Sequence, residues 1–245
     1  MYLLNRAPDR GVTYEIVCVV SSEDTFAEEV RVERRGIPTR AHPIQRFYAA
    51  RSPLPVHRLG TRAAYDAETL ELLDPYMPDL VLLDGYLYLV TDPLLNAYPA
   101  RIISLHFSDL MIRRADGSPR FPGVRAVRDA LSAGCAETRA TVHLVDEAPD
   151  NGPPIVRSWP FPVSLLVEEL RTQHLPDVFK AYAYAHQQWM LRTVSGPLVA
   201  AALRLIATGA VDLTELAAGG AGRSAPWLLD QDGFLLAPER ECVRA

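Results

Sequence analysis

The stretch RIISLHFSDL, residues 101–110, decides the fold that the sequence predicts. An apolar run rich in isoleucine and leucine ends in His106, and a polar segment follows. Such a run is typical of a strand buried inside a sheet. In open α/β sheets, ligands bind beyond the carboxyl ends of the strands. The position of His106 therefore favours a functional role over a packing role.

Similar apolar runs occur on both sides of this strand and alternate with segments of helical spacing. The predicted strands lie at 12–20, 80–90, 101–107, 140–147 and 153–163. The predicted helices lie at 21–36, 61–77, 92–98 and 123–134, and most of 165–209 is also predicted to be helical. This alternation predicts an α/β fold with an open, doubly wound, mainly parallel sheet that has helices on both faces.

The C-terminal part of the chain has a different pattern. Residues 218–226, AGGAGRSAP, are typical of a turn-rich linker, and residues 227–238 predict a closing hairpin. We expect residues 1–210 to form one α/β domain. We expect residues 211–245 to form a C-terminal linker and hairpin that pack on the same domain.

Composition excludes several classes of protein. The formal net charge of the 245 residues is −5, so we expect no nucleic-acid partner. Cys18, Cys135 and Cys242 form no CxxC pair and no HExxH pattern occurs, so we expect no metal site. Because no apolar run approaches ~20 residues, we expect no membrane partner. The three isolated thiols fit a reducing cytoplasm.

A second polar segment accompanies His106. The sequence DEAPDNGPPIV, residues 146–156, places Asp150-Asn151-Gly152, a turn signal, between two predicted strands. The residue types alone leave two interpretations open. Either Asp150 only caps a turn and His106 is a hydrogen-bonded histidine at a strand end, or the two side chains act together.

Four ordered blocks, the last of them in the C-terminal tail, resemble the folate-dependent formyltransferases, and among them the phosphoribosylglycinamide formyltransferases of purine biosynthesis. The resemblance covers roughly residues 12–165 and returns weakly over 186–238. It implies a Rossmann-like formyltransferase fold. The blocks that carry it are PDLVLLDGYLYLVTDPLL with YPARIISLHFSDL, RFPGVRAVRDALSAG, TRATVHLVDEAPDNGPPIV and WLLDQDGFLLAP.

The resemblance implies an active site. The Asn-x-His of the family corresponds to Ser104-Leu105-His106, and its aspartate in an Asp-Gly-Gly-Pro-like turn corresponds to Asp150. His106, Asp150 and Ser104 are therefore the candidate catalytic residues, with serine in place of the usual asparagine. The resemblance also implies that the folate is held by two segments, which comprise Asp84, Gly85, Tyr86, Leu87 and Tyr88, and Leu144, Val145 and Asp146.

These residue types suit formyl transfer. An amine attacks the formyl carbon of 10-formyltetrahydrofolate, and negative charge develops on the formyl oxygen. A histidinium aimed at that oxygen stabilises the transition state, and a nearby carboxylate favours the protonated imidazole. Ser104 still donates a hydrogen bond through its hydroxyl, but it is shorter than asparagine. The reaction needs no metal.

Three departures from the family concern the acceptor. The chain begins with MYLLNRAPDRG, which resembles the end of the family's first helix, so we expect the N-terminal strand and its glycine-rich phosphate loop to be missing. The loop 108–123 is longer than the family's and carries Arg113 and Arg114, which are either solvated or bind an anionic acceptor or the glutamate tail of the folate. Arg192 aligns with a glutamate that binds ribose in the family.

The sequence leaves several functions open. The resemblance favours phosphoribosylglycinamide or a related amine as the acceptor. The departures favour an amine of specialised metabolism, such as an amino sugar or a siderophore, or a non-catalytic relative that only binds folate. We expect a cytoplasmic protein whose partners are small molecules, and a homodimer is left open.

Overall fold

The structure is a computed structural model that describes residues 14–26, 29–51, 59–173, 175–219 and 225–238. The predicted absence of an N-terminal strand and phosphate loop concerns residues 1–13, outside the described residues. The chain divides between Ile102 and Ile103 into two compact units. The predicted domain boundary after residue 210 stays a prediction.

The first unit contains three short strands and four helices among its described residues. They are β1 (Val19–Ser21), α1 (Glu29–Glu33), β2 (Thr39–Ala41), α2 (Ile44–Arg51), α3 (Leu59–Leu73), a 3₁₀ turn (Asp74–Tyr76), β3 (Val81–Leu83) and α4 (Asp92–Ala97).

A parallel strand pair starts this unit. β1 and β2 pair in parallel through Val19–Thr39, and α1 makes the crossover between them. A crossover is required because parallel strands cannot be joined by a tight hairpin. Gly36 follows α1 with φ +72°, a left-handed conformation that glycine adopts without steric cost and that ends the helix. The predicted glycine stop is confirmed.

The second unit contains five strands of a larger sheet, a small two-stranded sheet and four helices among its described residues. They are β4 (Ile102–His106), which begins at the boundary, α5 (Ala126–Ser132), β5 (Glu137–Thr138), β6 (Thr141–Leu144), β7 (Pro154–Ser158), β8 (Phe161–Pro162), α6 (Leu166–Thr172), α7 (Pro176–Ala207), α8 (Leu213–Gly219), β9 (Trp227–Leu229) and β10 (Leu235–Leu236).

The sheet of this unit is mixed. Its strand order is β10-β9-β7-β6-β4, with β7–β9 parallel and the other three pairs antiparallel. The α/β class is confirmed, but the expectation of a mainly parallel sheet is corrected here. The reason is the short segment 145–153 between β6 and β7, because a connection of this length joins only antiparallel neighbours. The predicted closing hairpin is confirmed as β9 and β10.

Helix α7 covers the sheet of the second unit. It packs against β6, β7, α5 and α6, and buries His186, Met190 and Leu198. An 18-residue window of α7 has mean hydropathy 1.4, so by length and composition this helix meets the criterion for a membrane span, against expectation. A buried core helix passes the same test, which makes this weak evidence. The expectation of no membrane partner stays a prediction.

Candidate active site

The predicted catalytic side chains lie on one face of the β4–β6 pair. Ser104 pairs with His143 and His106 pairs with Thr141. Directly opposite residues of an antiparallel pair project to the same side, and alternate residues share that side. Ser104, His106, Thr141 and His143 therefore form one polar row at the end of the apolar strand β4.

The imidazole of His106 contacts two acceptors. Its Nδ1 lies 3.4 Å from Oδ1 of Asp150, and the two side chains are only 11% and 20% exposed. Its Nε2 lies 3.1 Å from the carbonyl oxygen of Phe121. A carboxylate and a carbonyl only accept hydrogen bonds, so this arrangement suits an imidazolium that donates from both nitrogens. The structure thus brings together His106 and Asp150, 44 residues apart in the sequence.

Asp150 is held by a turn and by a backbone donor. It lies in the connection between β6 and β7 with φ +53°, a left-handed conformation that aspartate tolerates better than most residues. The Gly123 N–H donates to its Oδ2 at 2.6 Å, which leaves Oδ1 directed at His106. One carboxylate therefore joins the turn, the segment before α5 and the histidine.

Gly152 fixes where this turn lies. A Cβ at this position would lie 1.8 Å from the carbonyl oxygen of Leu144, so only glycine fits. The Leu144 N–H donates to the Pro153 carbonyl at 3.0 Å and closes the connection. Next to it, β7 has one extra residue, Ile155, opposite Val142 and His143. Such bulges re-aim side chains, here beside His106.

His143 is a third member of the site, and the sequence analysis did not include it among the candidate residues. It is 2% exposed, and its Nδ1 donates to the Leu144 carbonyl at 2.8 Å. Its Nε2 lies 3.9 Å from Oδ1 of Asp150 and has no hydrogen-bond partner among the residues that the structure describes. Burial, with repulsion from His106, lowers the pKa of His143 to about 4, so the ring is neutral at neutral pH.

The predicted folate segment Leu144, Val145 and Asp146 leads from β6 into the Asp150 turn. The Asp146 carboxylate accepts from the Ala148 N–H at 3.1 Å and from the Asn151 amide at 3.4 Å. Burial raises the pKa of Asp146. Asp146 thus makes contacts within the turn that contains Asp150, and the role of the segment with folate stays a prediction.

Ser104 is half-buried, and its hydroxyl has no hydrogen-bond partner among the described residues. It lies directly opposite His143, whose Nε2 is also without a partner. The Ser104 hydroxyl and Nε2 of His143 are therefore both available to form a hydrogen bond with a ligand.

The arginines predicted to bind the acceptor have different surroundings. The guanidinium of Arg113 donates to the Gly117 carbonyl and to Asn151, and that of Arg114 donates to Ser118 and to the Arg120 carbonyl. Arg192 lies on the exposed side of α7 and contacts no described residue through a hydrogen bond or ion pair. Their binding of an acceptor stays a prediction.

The other predicted folate segment belongs to the first unit. Asp84, Gly85, Tyr86, Leu87 and Tyr88 follow β3, and Gly85 has φ +67°. A buried ion pair that sequence analysis missed, Arg62 with Asp66 at 2.6 Å, contacts this segment.

This pair contacts the predicted folate segment and the residues that follow it. Arg62 contacts the Tyr86 hydroxyl and donates to the Leu89 carbonyl at 2.7 Å. Asp66 accepts from the backbone and hydroxyl of Thr91 at 2.7 and 2.6 Å. The pair thus holds the chain on the C-terminal side of the predicted folate residues.

No group of three metal-ligating side chains occurs in the part of the chain that the structure describes. The expectation of no metal stays a prediction.

Comparison with known proteins identifies the family. A family model described as "Formyl transferase" matches residues 2–165, more than half of the 245 residues. The chain belongs to the formyl transferase family. The solved structure of glycinamide ribonucleotide transformylase 1 from Symbiobacterium toebii is 31% identical, with a TM-score of 0.52, over 78% of this chain and 74% of that chain. The Rossmann-like formyltransferase fold is thereby confirmed.

Two curated relatives show which reactions this family covers. Phosphoribosylglycinamide formyltransferase of Bacillus subtilis (strain 168) is 40% identical over 96 residues, 39% of this chain and 45% of the relative. Formyltetrahydrofolate deformylase of Escherichia coli (strain K12) is 30% identical over 155 residues, 63% of this chain and 47% of the relative. The chain thus spans less than half the length of each of these two relatives.

Proposed function

We propose that this formyl transferase family member transfers the formyl group of 10-formyltetrahydrofolate to an amine. The observation that supports this most is the pairing of His106 with Asp150 at 3.4 Å on the polar row, at the strand end where the family resemblance places the active site. An imidazole N–H that a carboxylate holds in position is the kind of donor that stabilises a developing formyl oxyanion.

The polar row fits a bound formyl donor. The buried Nε2 of His143 has no hydrogen-bond partner in the described part of the chain, and leaving such a group unsatisfied costs about 1–3 kcal/mol. The hydroxyl of Ser104, directly opposite, is also free among the described residues. Both groups lie on the face of His106, so a polar ligand or water here would satisfy them. Leu144, Val145 and Asp146 are the main-chain segment that would hold the pterin beside them.

In the proposed mechanism His106 is the electrophilic catalyst. Its Nε2 leaves the Phe121 carbonyl and donates to the formyl oxygen, while the Asp150 carboxylate accepts from Nδ1 and orients the ring. Ser104 donates a second hydrogen bond to the same oxygen. The amine nitrogen bonds to the formyl carbon as the bond from that carbon to N10 breaks. The folate supplies the formyl group, and its N10 takes the proton that the amine loses.

We propose phosphoribosylglycinamide or a related amine as the acceptor, which the name of the Bacillus subtilis relative supports. An amine of specialised metabolism remains the alternative that Arg192 favours, and a non-catalytic folate-binding relative is the alternative that Ser104 favours. Such a reaction has small-molecule partners and places the protein in the cytoplasm. A homodimer stays a prediction that sedimentation of the purified protein tests.

A second function is hydrolysis of the formyl donor, with water in place of the amine. The relative named formyltetrahydrofolate deformylase favours it. The two functions share the polar row and differ only in the nucleophile.

One experiment separates these functions. Release of tetrahydrofolate from 10-formyltetrahydrofolate is measured without amine, with phosphoribosylglycinamide, and with a panel of amino sugars and hydroxamate precursors. Amine-dependent release with a formylated product supports transfer and identifies the acceptor class. Release that needs no amine supports hydrolysis. Folate binding without any release contradicts both and supports the non-catalytic relative.

A further inference from the structure

The long loop that follows β4 folds into a small hairpin beside the active-site turn. In this hairpin, residues 112–120, Arg113 and Pro119 form an antiparallel bridge, and the Arg120 N–H donates to the Ile112 carbonyl at 3.0 Å. The tip is closed by Asp116, which accepts from the backbone and hydroxyl of Ser118. The hairpin is therefore ordered by its own hydrogen bonds.

One arginine joins the hairpin to the turn that bears Asp150. Nη1 of Arg113 donates to the Gly117 carbonyl at 2.9 Å and to Oδ1 of Asn151 at 3.0 Å, and Nη2 lies 3.4 Å from the Asn151 carbonyl. The guanidinium thus holds both the side chain and the backbone of the residue next to Asp150. A planar fork with several donors suits such a two-point contact.

The segment that leaves the hairpin contacts both members of the catalytic pair. The Phe121 carbonyl accepts from Nε2 of His106, and the Gly123 N–H donates to Oδ2 of Asp150. The other end of the loop is also held, because Asp109 lies 3.2 Å from Nη1 of Arg157 on β7. The loop and the turn therefore fix each other around His106 and Asp150.

We propose that Arg113 is a positioning residue that holds the Asp150 turn against the hairpin, and so keeps the carboxylate on His106. Asp150 has a left-handed backbone conformation, so the turn needs contacts outside itself to stay in place. Arg113 supplies one of these contacts through Asn151. Among the described residues, Arg114 in the same hairpin donates hydrogen bonds to Ser118 and the Arg120 carbonyl and to no residue of the turn.

This inference rests on the proposed function for its catalytic consequence, but its structural core is tested without turnover. The Gly123 amide proton reports the position of Asp150, since Oδ2 is its acceptor at 2.6 Å. Hydrogen exchange by NMR is measured on the free protein for Arg113→Ala, Asn151→Ala and the double variant. Arg120→Ala is the matched control, since its side chain lies on the hairpin and makes no hydrogen bond to the turn.

We expect Arg113→Ala and Asn151→Ala each to speed exchange at Gly123 about tenfold, and the double variant to add little more. In Arg113→Lys, which keeps the charge but loses the planar guanidinium, we expect an exchange rate at Gly123 between those of the alanine variants and the wild type. Exchange at Gly123 within twofold of wild type in Arg113→Ala, with faster exchange only at Gly117, would overturn the inference. So would fully additive effects in the double variant.

Kinetics then separate positioning from acceptor binding. For a protein that turns over, Arg113→Ala lowers kcat by about tenfold with KM for both substrates unchanged. A raised KM for the acceptor with unchanged kcat contradicts a positioning role and indicates instead that Arg113 binds the acceptor. If the wild type shows no turnover on any acceptor, the proposed function fails, while the exchange at Gly123 still decides the role of Arg113.

Discussion

Lowering the pH should destabilise the protein through one buried side chain. His143 is 2% exposed, donates from Nδ1 to the Leu144 carbonyl, and has no partner on Nε2. Burial, and then the charge of His106, lowers its pKa from 6.5 to about 4 in the folded protein. Below pH 6.5, His143 binds a proton in the unfolded chain but stays neutral in the folded protein. The free energy of unfolding therefore falls as the pH falls toward 4.

The magnitude follows from the size of this shift. One pKa unit is worth about 1.4 kcal/mol, so the full loss below pH 4 is about 3 kcal/mol, and the part lost between pH 7 and pH 5 is about 2 kcal/mol. The stability present at pH 7 thus depends on a neutral His143. Because the neutral ring of His143 forms no ion pair with Asp150, the carboxylate interacts mainly with His106.

The assay is urea unfolding at pH 7 and pH 5 for the wild type and for His143→Asn, whose amide keeps a donor near the position of Nδ1. The variant removes the imidazole of His143 and leaves the other histidines of the sequence in place. We expect the wild type to lose about 2 kcal/mol more than the variant between the two pH values. Equal losses in the two proteins would refute the reasoning and would mean that His143 is accessible to protons in the folded state.

Three further predictions concern the polar row and its turn. Ser104→Asn should raise kcat on the order of tenfold, because the longer amide restores a donor toward the formyl oxygen; steady-state kinetics decide this, and a lower kcat would assign Ser104 a role of its own. Asp150→Asn should lower kcat by about 100-fold with little loss of stability, since the amide keeps the shape but not the charge that favours the histidinium; a small kcat effect with a large stability loss would make the residue structural. Gly152→Ala should lower the free energy of unfolding by about 2–3 kcal/mol, because its Cβ would lie 1.8 Å from the Leu144 carbonyl oxygen and displace the turn; wild-type stability in urea would contradict that geometry.

The catalytic pair could be predicted from local signals. The apolar run up to His106 fixes a strand end, and the Asp150-Asn151-Gly152 turn fixes a second polar position after another strand. The family resemblance then pairs them. The structure adds the left-handed conformation of Asp150 and the close approach of Gly152 to Leu144, which explain why the turn contains these residue types.

The rest depended on long-range register. The role of His143 could not be derived from its own segment, because its neighbour Asp150 and its cross-strand partner Ser104 come from other parts of the chain. The mixed sheet could have been found from the shortness of the segment 145–153, a signal that the alternation of strands and helices overrode. The contact between Arg113 and Asn151 had no sequence signal, because the loop has no periodicity.

The central claim is that His106, held by Asp150, donates a hydrogen bond to the formyl oxygen while the formyl group passes from 10-formyltetrahydrofolate to an amine. The most direct measurement is the rate of formylated phosphoribosylglycinamide formation for the wild type and for His106→Ala, at equal folded fraction, with mass spectrometry of the product. The account predicts formylated product with the wild type and a loss of at least about 100-fold with His106→Ala. Equal rates for the two proteins would contradict it.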